Sequence, residues 1–195
     1  MSKPLIETEN DGRRQRTERS RAAIITASLS LLEEGILVPT AQQISDRAEV
    51  GIRTFFRHFD DMNTLFEAVD NSIRDEYEAF VIGGDRNGTL EERIDHAIER
   101  HSNAYEKVTN IVLSAAAQRW RSDVLRKNYA RSQRDLREDL DNWLPEIKDL
   151  PQSTREAIDA IASFEMWNRL REHQGLGRPE SLEIVSSMLK ALILK

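Results

Sequence analysis

The side chains best suited to chemistry fall between Gly51 and Phe59. Arg53 and Arg57 stand four residues apart there, with Thr54 and His58 beside them, and on a helix that spacing puts both guanidinium groups on one face. An arginine pairs bidentately with guanine, and an apolar neighbour can meet a thymine methyl, so such a face reads a duplex and breaks no bonds. Catalytic constellations are scarce by comparison. The chain has no cysteine, which removes disulfides, thiolate chemistry and cysteine-based metal sites. None of its four histidines follows a glutamate by three residues, and His96 and His101, five apart, share no helix face for a metal. No glycine-rich phosphate loop, zincin pattern or nucleophile elbow occurs. The expectation is a binding protein without cofactor or metal, and not an enzyme.

These residues need a rigid mount, and the flanking pattern supplies one. Thr40 followed by Gln43 fits a capping box that starts a short helix. Ile44 and Ala48 share one face of it, Val50 follows the turn, and Phe55 and Phe59 repeat the four-residue interval, so all five can join one small core. The positions then left outward are Ile52, Arg53, Phe56 and Arg57, with Thr54 and His58 at the margin. Apolar spacings of three and four recur along the whole chain and alternating runs are absent, which predicts an all-α fold. The expected helices cover about 17–34, 40–47, 51–58, 61–81, 90–107, 108–117, 122–144, 153–174 and 179–194. Breaks are expected near Thr109 and Asn110 and at Ser122, where capping side chains could restart a helix.

The segments TAQQISDR, from Thr40, and AEVGIRTFFRHF, from Ala48, resemble the DNA-binding domain of the TetR family of bacterial transcriptional regulators. The likeness is detailed from about Arg14 to Leu65. Later stretches, FDDMNTLFEAV and SFEMWNRLREHQGL, are similar to family members as well. The resemblance implies that Gln42, Ile52, Arg53 and Thr54 approach base edges, and that Thr40, Phe56, Arg57 and His58 lie against the phosphate backbone. It further implies a homodimer on a pseudo-palindromic operator, released by a small-molecule effector. Four features depart from the family pattern. Glu49 replaces a turn glycine where positive φ is often wanted, at a cost of about 1 kcal/mol. Phe56 replaces a tyrosine, Met62 replaces a lysine, and Asp60 and Asp61 place acid beside it. The last two aspartates suit the cap and first turn of the fourth helix.

Charge is unevenly spread. The chain nets −6, with 28 basic and 34 acidic residues, yet residues 1–59 hold nine basic and eight acidic side chains. The acid therefore sits in residues 60–195. Arg13, Arg14, Arg16, Arg19 and Arg21 against Glu18 form a cationic stretch, read as a flexible basic arm over 1–16 running into the first helix. Such an arm either stays solvated or reaches phosphate or the minor groove, offsetting the missing cations. The expected domains are that arm, a helix-turn-helix over 17–60, and a helical effector and dimerisation domain over 61–195. No run approaches the roughly 18 to 20 apolar residues of a membrane span, and no signal peptide opens the chain, so a cytoplasmic protein is expected.

In the larger part, His101 and Tyr105, one turn apart, are candidates to line a ligand pocket, with Asn110, Gln118, Trp120, Trp143, Phe164 and Trp167. Aromatics at helical spacing are more often plain core than ligand box, and each of these has that other reading. Two amphipathic helices joined by GLGRP suggest a hairpin, and two hairpins about a twofold axis would make a four-helix interface. Its candidate residues are Ile161, Phe164, Leu182, Val185, Met188, Leu189 and Leu192; packing within one chain is the other reading. A helical adaptor that binds only protein, with a degenerate helix-turn-helix, is the rival for the whole molecule.

Overall fold

Apolar residues at intervals of three and four build helices almost from end to end. The computed structural model describes residues 6–81 and 84–194, with side chains for 12, 14–74 and 84–194. Among these, nine α-helices and no strand occur: α1 Ile6–Glu33, α2 Ala41–Arg47, α3 Ile52–His58, α4 Met62–Val81, α5 Leu90–Gln118, α6 Asp123–Trp143, α7 Gln152–Ile161, α8 Phe164–Asn168 and α9 Arg178–Ile193. The all-α expectation holds. No described helix is long and apolar enough to cross a membrane.

Three boundaries differ from expectation. The first helix begins at Ile6 rather than near Thr17, so Arg13, Arg14 and Arg16 lie within it and not in a flexible arm ahead of it. Acidic residues precede the arginines along this segment, an order that suits the helix dipole. The side chain of Arg13 lies outside the described residues. Second, α5 runs unbroken through Thr109 and Asn110. Both candidate caps are engaged elsewhere: the Thr109 hydroxyl donates to the Tyr105 carbonyl at 2.8 Å, and the Asn110 amide donates to the Leu32 carbonyl at 2.9 Å. Third, the helix expected over 153–174 is cut at Ser163, whose Oγ accepts from the Met166 N–H at 3.2 Å and starts α8. A π-helical turn, Arg169–His173, follows. Ser122 does start α6 as expected, with its Oγ accepting from Leu125 N–H.

The chain divides into two compact units, Met1–Ile73 with Asn110–Asn128, and Arg74–Thr109 with Tyr129–Lys195. The first is built on Ile24, Leu31, Ile44, Phe55, Phe59 and Leu65, all fully or almost fully buried. At about 1.5 to 3 kcal/mol per large side chain removed from water, this cluster is what holds helices as short as α2 and α3 in place. The second unit buries Ile94, Trp143, Leu144, Ile158 and Leu189. Its α9 packs on α7, the pairing expected of the hairpin. Near its start, Gly84 adopts φ +95°, and a Cβ there would stand 2.9 Å from Cζ2 of Trp143. Only glycine lets the backbone pass so close to that ring.

Candidate functional site

The first candidate site is the outer face of α3. Its mount begins at Thr40, whose Oγ1 accepts from Gln43 N–H at 3.2 Å while Gln43 Oε1 accepts from Thr40 N–H at 2.9 Å, the reciprocal box read from the spacing. At the other end of α2, Val50 N–H donates to Ser45 O at 3.0 Å and Glu49 N–H to Asp46 O at 3.2 Å. That is a Schellman closure, and it needs a left-handed residue at its hinge: Glu49 has φ +54°. The end of α1 closes in the same way through Gly35, at φ +84°, where no side chain resists. Glu49 therefore carries the strain of about 1 kcal/mol expected of a side chain in that region.

With the turn closed, Phe55 and Phe59 point inward at zero exposure, their ring centroids 5.8 Å apart. Arg21 of α1 lies over the Phe59 ring at 5.2 Å. Arg47 forks onto Glu34 at 2.6 and 2.7 Å and reaches Ser30 at 2.8 Å, tying α2 to α1. The hydrogen bond from Arg47 holds the Glu34 carboxyl below its ordinary pKa. Arg47 is thus a structural cation. Asp61 caps α4, accepting from Thr64 N–H at 2.8 Å and from its hydroxyl at 2.7 Å, as expected of an acidic first turn.

What remains outside is narrower than the sequence suggests. Arg53 and Arg57 are exposed and Phe56 is 50% exposed. Gln42 is exposed, with its amide donating to Asp46 at 2.7 Å, and Thr40 is exposed but occupied by the cap. Arg14 and Arg16 project from α1 into solvent. Ile52 is instead half-buried against the core, and Thr54 is half-buried too. His58 is half-buried with Nε2 sealed and unpaired. Burial, then the charges of Arg57 and Arg21, push its pKa below the ordinary histidine value, so the imidazole is neutral near pH 7 and is no cation for phosphate.

The second candidate site lies in the second unit. His101, 2% exposed, has Nε2 2.9 Å from Oδ2 of Asp139, itself 3% exposed, and Arg86 Nη2 donates to the other carboxylate oxygen at 2.8 Å. The carboxylate of Asp139 needs such partners, because an unpaired buried charge is costly. Arg86 also lies over the Trp143 ring at 5.3 Å. Tyr105 donates its hydroxyl to Ala162 O at 2.8 Å and meets the Phe164 ring edge-on at 5.7 Å. Trp167 donates Nε1 to Glu106 at 3.0 Å. His101, Tyr105 and Trp167 line a cavity of about 10 Å³ with Ser102, Ser163, Ile98, Ile161, Ala162 and Val185. That volume matches about one water.

The other expected pocket residues are elsewhere. Phe164 backs Tyr105 without lining the cavity, and Trp143 is core beneath Arg86. Asn110 and Gln118 belong to the first unit, bonded to Leu32 and to Ser114, and Trp120 is 78% exposed. Four of the residues expected at a dimer interface, Ile161, Phe164, Val185 and Leu189, are buried within the unit, because the hairpin uses them to close its own core. Leu182 and Leu192 are half-buried on the same core, and Met188 is 39% exposed. Asp139 and Arg86 are absent from the expected set. A signal existed for Asp139: it falls three residues after Leu136 and four before Trp143, a charge on the apolar stripe of α6.

No protein-family model matches the chain, and no curated protein matches it. Several solved chains share its fold, among them two transcriptional regulators. A transcriptional regulator from Rhodococcus sp. Rha1 superposes with a TM-score of 0.65 at 18% identity, over 91% of this chain and 95% of that one. A candidate transcriptional regulator from Streptomyces coelicolor A3(2) gives a TM-score of 0.59 at 19% identity, over 91% of this chain and 99% of that one.

Proposed function

We propose that the chain is a DNA-binding transcriptional regulator of TetR type, a homodimer that represses by holding a pseudo-palindromic operator and lets go when a small molecule binds its second unit. One observation carries the reading: α3 is braced by two buried phenylalanines while Arg53 and Arg57 stand bare on its far side. A short helix, rigid behind and cationic in front, suits a major groove. The fold shared with two solved regulators supports it. Arg53 is the base reader, Arg57 and the arginines of α1 hold phosphate, and the exposed apolar Phe56 lies against sugar. Dimers form through the outer face of α9, where Ile184, Met188 and Ala191 follow one another at intervals of four and three.

The effector enters at the His101 cavity, which must widen to admit it, and that requirement couples binding to a shift between conformations. Selection of duplexes from a random library by the full chain, followed by footprinting, tests the reading. Arg53→Ala is expected to cost about 1 to 3 kcal/mol on the selected duplex and to relax preference at one base pair. Equal loss on selected and random duplexes would remove Arg53 from base reading. The neutral His58, which is no cation for phosphate, favours the adaptor reading instead, and selection that enriches no duplex would count for it and against the regulator.

A further inference from the structure

Residues 60–195 are acidic on balance, yet 119–127 hold four basic side chains, Arg119, Arg121, Arg126 and Lys127, against the single Asp123. The fold places this stretch in the first unit, with the helix-turn-helix. Its seat is specific. The Ser122 hydroxyl donates to Asn63 Oδ1 at 2.6 Å, on the first turn of α4, and Leu125 is buried. The first unit thereby holds thirteen basic and thirteen acidic residues; without 119–127 it would hold nine against twelve. The turn thus brings positive charge to the end of α4 where Met62 stands behind Asp60 and Asp61.

The side chains here are not all free to bind. Arg126 pairs with Asp123 and donates to the Arg119 carbonyl at 2.9 Å, so it closes the turn. Arg121 is exposed and meets the neutral amide of Gln118 at 2.7 Å, which leaves its charge uncancelled there, and Lys127 is exposed. Between the arginines, Trp120 is 78% exposed, the most exposed large apolar side chain among the described residues. An indole left so bare beside cations marks a contact surface, since its ring can cover sugar while Nε1–H donates to a phosphate oxygen.

We propose that the Arg121, Lys127 and Trp120 surface is a second grip on the backbone of double-stranded DNA, holding phosphates outside those reached from α3. The proposal rests on the regulator reading above. It adds affinity without base preference, because phosphate contacts position a protein and do not read sequence.

The test uses the full chain and a duplex it selects from a random library, with binding measured across salt concentrations. Arg121→Gln with Lys127→Gln is expected to flatten the slope of log K against log salt by about 0.9 for each phosphate no longer neutralised, while base preference is kept. Arg121→Lys, which keeps the charge, restores the wild-type slope; a merely structural role for the guanidinium would not be rescued. Trp143 and Trp167 are 2% and 3% exposed, so acrylamide quenching reads mainly Trp120, and added duplex is expected to shield it. An unchanged slope with unshielded Trp120, while Arg53→Ala still relaxes preference at one base pair, overturns this proposal and leaves the regulator reading standing. Failure of the wild type to enrich any duplex overturns both.

Discussion

The two units handle ionisable side chains in opposite ways. The first buries Phe55 and Phe59 and leaves Arg53 and Arg57 in water, and its net charge is zero. The second carries the whole −6 and hides Asp139 and His101 in its interior, with Arg86 only partly covered. An exposed cation has little effect on stability, so it can be kept for what it touches outside the chain. A buried carboxylate weighs heavily on stability, and its partners are fixed by the fold before any ligand arrives. The difference teaches where to look for each kind of effect: substitutions of the exposed Arg53 and Arg57 should change binding alone, and substitutions at the His101 cluster should change folding first.

The sharpest test of that contrast is Asp139→Ala. It leaves the buried His101 without its partner while Arg86 stays partly in water, and it is expected to lower stability by about 1 to 3 kcal/mol in urea unfolding. A loss under about 1 kcal/mol would mean the cluster is wetter than its burial indicates and would erase the contrast. A smaller effect of opposite sign is expected within the first unit. Glu49→Gly relieves the left-handed strain and should stabilise by about 1 kcal/mol, bringing the end of α2 level with that of α1. Destabilisation by that change would show that the Glu49 side chain makes a contact that outweighs its strain.

The smallest expected effect concerns pH. Burial lowers the pKa of His58, so the unfolded chain takes up its proton first as the solution is acidified. The contribution of the neutral imidazole is fully present above about pH 6.5 and is lost as the pH falls through the folded-state value. His58→Gln should therefore flatten the decline in stability as the pH falls below about 6.5. A decline as steep as in the wild type would assign it to other groups.

Local rules made one half of the molecule legible. The Thr40 and Gln43 box, the left-handed demand at Glu49, the inward phenylalanines and the Ser122 cap each involve residues within a few positions of one another, so spacing alone exposes them. Spacing failed where partners lie far apart. Thr109 and Asn110 look like helix breakers until Asn110 finds a carbonyl 78 residues away. His101 and Asp139 are 38 residues apart, and only the packed unit joins them. Val185 and Leu189 are visible as an apolar face, but periodicity cannot say whether such a face is covered by its own chain or by a second copy. Ser163 is a local signal that spacing passes over, a capping serine hidden in a run that otherwise reads as helix.

Gly84 has a reach beyond its own turn. The indole it touches is also the shelf under the Arg86 guanidinium, that guanidinium steadies Asp139, and Asp139 steadies the imidazole in the cavity wall. Backbone, ring, cation, anion and imidazole form a train of levers, and swapping one hydrogen for a methyl at its near end would nudge the far end without touching it.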